Sequence, residues 1–129
     1  MEIEYRRAAD KTFNQICGKV KPVVEKNGFV VVAEIDSSGI MRSRGFKYPD
    51  FRIYDICNAS YANRLLSASK LFETIIPCHL IVRDAGGKTE VAAGIPTPII
   101  SALNLGPDVV ATVNEVIKIL KVIVDNIVI

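Results

Sequence analysis

The sequence predicts an α+β domain built on a mostly antiparallel sheet with helices packed on one face. Three observations predict it. Half of the 129 residues are hydrophobic, which supplies one packed core and suits a single domain over 1–129. Helix-periodic runs and β-branched runs are mixed without the strict alternation of a parallel α/β fold. Asp84-Ala85-Gly86-Gly87 separates two strand-like runs, which reads as a hairpin and therefore as antiparallel pairing.

The elements follow in order. A short strand is expected at Ile3 to Tyr5. A helix is expected from about Ala8, because Phe13, Ile16, Cys17, Val20, Val23 and Val24 share a face at helical spacing. Pro22 should kink or split it, and Asn27-Gly28 should stop it. Phe29 to Ile35 and Asp50 to Cys57 read as strands, with Asp36 to Gly45 a loop or short helix between them. Asn58 is placed as the N-cap of a helix over Ala59 to Ser67. Thr74 to Arg83 and Lys88 to Ile95 form the hairpin, and Thr97-Pro98 opens a short helix with Thr97 as its cap.

The last helix begins near Gly106-Pro107. Val109, Val113, Val116, Leu120, Ile123 and Ile127 form a seam, widened by Val110, Ile117, Val124 and Val128. The leading reading is a helix buried on the sheet; a sharper one gives part of it to a subunit interface.

Composition excludes several classes. Lys plus Arg is 16 and Asp plus Glu is 14, so a net charge of +2 gives no basic stripe and nucleic acid is not an expected partner. Glu115, Lys118, Lys121 and Asp125 interrupt the most apolar stretch, so no membrane association is expected. The N-terminal residues lack a secretory h-region, and Cys17, Cys57 and Cys78 are an odd, scattered set. Both features predict a cytoplasmic protein in a reducing compartment. The sequence leaves any cofactor unknown; Gly87-Lys88-Thr89 resembles the end of a phosphate loop, but Val82 stands where its leading Gly would be. A metal site is not expected, because His79 is the sole histidine and no Cys-x-x-Cys occurs.

Strand alternation sorts the candidate residues. Phe29, Val31, Ala33 and Ile35 should face the helices. Glu34, Arg52, Tyr54, His79, Arg83 and Glu90, among Val30, Val32 and Ile81, should form a mixed second face. Such a face suits solvent, a second subunit or a small ligand. The candidate ligand-binding set is Arg52, Tyr54, Cys57, Asn58, Cys78 and His79. Cys57 and Cys78 are also candidate catalytic residues. Cys57 precedes a helix N-terminus, where a thiolate is stabilised by free N–H groups. The opposing reading makes both cysteines small core residues.

Tyr54-Asp55-Ile56-Cys57-Asn58 and Ile75-Ile76-Pro77-Cys78-His79-Leu80-Ile81-Val82 resemble two motifs of the domain-of-unknown-function family 302. These are a strand ending in Cys-Asn-Pro and a later strand with Leu-Pro-Cys-Asn. Gly28-Phe29 and Glu34-Ile35-Asp36 also resemble its early strand, so the likeness spans about residues 8 to 100. The resemblance implies a TATA-binding-protein-like fold, frequent homodimers and no established reaction. It points to Cys57, Asn58, Pro77 and Cys78. Ala59 and His79 depart from the pattern, replacing its Pro and its second Asn.

Two functions follow. One is a homodimeric domain that binds a small ligand or a partner near the two cysteine-bearing strands. The other is a thiol-based redox or sulfur-transfer enzyme using Cys57, with Cys78 as resolving partner.

Overall fold

Thr12 decides where the first helix begins. Its Oγ1 accepts from the Gln15 backbone N–H at 3.2 Å, and Gln15 Oε1 accepts from the Thr12 N–H at 3.0 Å. This reciprocal capping box ties two donors that the helix itself leaves free. The computed structural model describes residues 3–129. In it, strand β1 spans Glu4–Ala9 and helix α1 spans Phe13–Lys26. The strand is therefore longer, and the helix starts later, than apolar spacing alone suggests. Helix α1 also runs through Pro22 without splitting. Pro22 is on the exposed side, so the ring meets solvent and only one backbone hydrogen bond is lost. The helix ends as expected, with Gly28 at φ +82°.

The chain continues through β2 (Val30–Ile35), α2 (Ser37–Ser43), β3 (Phe51–Cys57) and α3 (Ala59–Ala68). A 3-10 turn at Lys70–Thr74 then delays β4 to Cys78–Asp84. β5 (Thr89–Gly94), α4 (Thr97–Ala102) and α5 (Pro107–Val128) complete it. Thr97 lies inside α4, and Pro96 holds the cap position expected for Thr97. The sheet order is β1-β5-β4-β3-β2, with every neighbouring pair antiparallel. The β4–β5 turn uses Gly86 and Gly87 at φ +74° and +98°, a region that side chains with a Cβ avoid.

Helices α1 and α5 lie on one face of this sheet. Ile16, Val20 and Val24 of α1 and Leu120, Ile123, Val124 and Ile127 of α5 pack on Tyr54, Ile56, Leu80, Val82, Val91 and Ala93. A second cluster joins Leu65, Phe72 and Ile100 to Val113 and Ile117 of α5. The wide stripe of α5 is thus shared between the sheet and the packing of α3, the 3-10 turn and α4. The chain's own elements account for most of its width; of the named stripe residues, Val110 stays exposed. Among the described residues, no helix is long and apolar enough to cross a membrane.

Candidate functional site

Strand register arranges the uncovered face of the sheet in rows. One row pairs Ile35 with Ile53, Ile53 with Ile81, Ile81 with Ala92, and Ala92 with Arg6, so apolar side chains cross four strands. Beside it, Ala33 pairs with Asp55 and Asp55 with His79. On the other side Phe51 pairs with Arg83, Arg83 with Glu90, and Glu90 with Ala8.

The polar groups on this face are mutually paired. Arg83 holds Glu4 at 2.7 Å and Glu90 at 3.9 Å. His79 Nδ1 contacts Asp55 Oδ1 directly. The Asp55 side chain is 15% exposed and that of His79 is 56% exposed, so the carboxylate is the fixed partner. An N–H at Nδ1 donating to Asp55 would leave Nε2 available outward. The sequence expectation holds here for His79, Arg83, Glu90 and Ile81.

Arg52, Tyr54 and Glu34 are elsewhere, on the helix side. A β-bulge between Val31 and Ala33 is the reason for Glu34. One extra residue reverses the alternation, so Glu34 pairs with Tyr54 while Ala33 and Ile35 turn to the open face. Arg52 Nη1 lies 3.2 Å from Glu34 Oε1, and its guanidinium is 6.0 Å from the Phe13 ring centre. Tyr54 is 3% exposed, and among the described residues its hydroxyl has no hydrogen-bond partner. Burial drives the Tyr54 phenol far above its ordinary range, with the Cys17 thiol beside it adding to the effect. Burial also pushes the Cys17 thiol up, against an opposing contribution from Tyr54. Sequence reasoning overlooked this Cys17–Tyr54–Arg52–Glu34 cluster. Cys17 lies on the apolar stripe of α1, which was the available signal, but the bulge that completes the cluster has no composition cue.

Cys57, Asn58 and Cys78 meet at a third place. They line a cavity of about 20 Å³ together with Phe29, Tyr61, Leu65 and Val116. That space holds a single water at most. Asn58 is committed at both ends of its amide. Its Oδ1 accepts from the Tyr61 N–H at 3.0 Å, capping α3, and its Nδ2 donates to the Gly28 carbonyl at 2.8 Å. Burial pushes the Cys78 thiol up to about 11, and Cys57 and Asp55 nearby add to the shift. The Ile76–Pro77 bond that precedes β4 is cis. The six expected binding residues are therefore divided among three places. Among the described residues, no three His, Cys, Asp or Glu side chains converge as a metal site.

An antiparallel five-stranded sheet with two helices on one face and an open second face defines the structural class. Within that class, the family model for the domain of unknown function DUF302 matches residues 5–127, so the chain belongs to this family. The crystal structure of an uncharacterized conserved protein DUF302 from Bacillus stearothermophilus has the same fold, with a TM-score of 0.90 at 21% identity. The match covers 97% of this chain and 98% of that one. No curated protein matches the chain.

Proposed function

We propose that the chain is a homodimeric, cytoplasmic binding domain whose open sheet face, centred on β3 and β4, is the interaction surface. The apolar row Ile35–Ile53–Ile81 carries this reading, since Ala92 at its end is already fully buried. It is flanked by Glu4, Asp55 and Glu90 against Arg6 and Arg83, so the face is close to neutral. A near-neutral face with an apolar centre suits pairing with its own copy about a two-fold axis. It offers no continuous positive track for a nucleic-acid backbone. Asp55 and His79 supply the polar contact for a ligand or partner at the same strands. Sedimentation velocity tests the dimer. Wild-type protein should sediment as a dimer, and Ile81→Arg should give a folded monomer, because it places a cation in the apolar row. A monomeric wild-type protein at micromolar concentration sinks the proposal.

The thiol reading rests on Cys57 and Cys78 lining one cavity. The high value of the Cys78 thiol weighs against it, since a resolving thiol must reach its thiolate form. Alkylation of native protein at neutral pH separates the two readings. Rapid labelling of Cys57, followed by a Cys57–Cys78 disulfide under mild oxidation, would support thiol chemistry; labelling only after unfolding would end it.

A further inference from the structure

A cleft of about 520 Å³ lies on the helix side of the molecule, away from the open sheet face. Tyr5 of β1, Ile95, Pro98 and Ile117 give it an apolar lining, and Thr97, Ser101 and Lys121 add polar groups. Its volume is within the range of small-molecule sites. The charges gathered around Tyr5 are unequal. The Arg7 guanidinium is 4.1 Å and the Lys121 Nζ is 5.4 Å from the Tyr5 ring centre. One carboxylate, Asp125, serves this group: it accepts from the Tyr5 hydroxyl at 2.8 Å and lies 3.7 Å from Arg7 Nε. Among the described residues Lys121 forms no ion pair. The hydrogen bond to Asp125 holds the Tyr5 phenol above its ordinary value, so Tyr5 stays neutral and Asp125 stays engaged.

The geometry points to a binding site for a small apolar carboxylate, its hydrocarbon part between Ile95, Pro98 and Ile117 and its head on Lys121. A cation at the mouth of an apolar cleft selects the charge of the head group. The neighbouring Thr97 and Ser101 hydroxyls supply donors to the second carboxylate oxygen. An ammonium head would meet Lys121 and be repelled. An uncharged head would lose the ion pair.

The test is a calorimetric titration of the full chain with octanoate, using octanol and octylammonium as controls. Octanoate should bind, octanol about tenfold or more weakly, and octylammonium not measurably. Lys121→Glu should weaken octanoate by at least about tenfold, and Ser101→Trp should block the cleft. Both positions are exposed, so circular dichroism should show unchanged folding. Absence of octanoate binding, or binding indifferent to both substitutions, overturns the inference. The Ile81→Arg monomer separates this site from the dimer proposal. It should bind octanoate as the wild type does, and loss of binding in that folded variant would overturn the assignment to this cleft.

Discussion

At the scale of single residues, Cys78 shows how strand placement sets chemistry. It pairs with Ile56 on the helix side, and burial lifts its thiol to about 11 from 9.0. The unfolded chain loses this proton at lower pH than the folded chain does. Its contribution to stability is therefore complete below pH 9 and is lost as pH rises through about 11. The predicted loss is about 2 kcal/mol between pH 8 and 11. Urea unfolding across that interval should show it in the wild type. The Cys78→Ala protein should be less stable at pH 8, from the cavity, but its stability should fall less on the alkaline side. Equal slopes for the two proteins would remove the assigned role of burial. The sequence made this thiol legible as a candidate, and made its core-filling alternative legible too. Nothing in the linear sequence could decide between them, because the deciding quantity is the packing of Cys78 beneath Tyr61, Leu65 and Val116.

At the scale of elements, periodicity located most helices and strands, while local hydrogen bonds and irregular geometry settled the rest. The late start of α1 depends on Thr12 and Gln15 capping each other. Thr12→Ala should therefore destabilise the domain by about 1 kcal/mol, measured by chemical denaturation. A change of under a few tenths would mean that the cap contributes nothing measurable. The bulge in β2 had a larger consequence for the candidate site. Simple alternation put Glu34, Arg52 and Tyr54 with His79, whereas one inserted residue carries Glu34 to the helix side. Arg52 and Tyr54 lie there because Tyr54 and Ile56 join the core with Leu80 and Val82. Both faces of β3 contain enough apolar residues to be plausible core faces, so composition alone could not orient it. His79 and Arg83 were assigned correctly because β4 has one fully apolar side, Leu80 and Val82.

At the scale of the whole molecule, the two sides of the sheet set different expectations for association. The helix side is closed by α1 and α5, which bury the large side chains of the main core. The open side combines an apolar row with paired charges, and this balance predicts a dimer held by surface burial more than by long-range attraction. Salt then has little to screen, since its effect is strongest where opposite charges steer separate surfaces together. The dissociation constant of the proposed dimer should change by less than about threefold between about 50 and 500 mM sodium chloride. Sedimentation measurements across that range provide the check. A steep weakening with salt would show that complementary charge fields hold the copies together, and would shift the interface from the Ile53–Ile81 row to the charged groups around Glu4, Arg83 and Glu90. Near-constant affinity combined with dissociation by Ile81→Arg would place the contact on the apolar row itself, because only burial of that row makes the association insensitive to salt and sensitive to one cation.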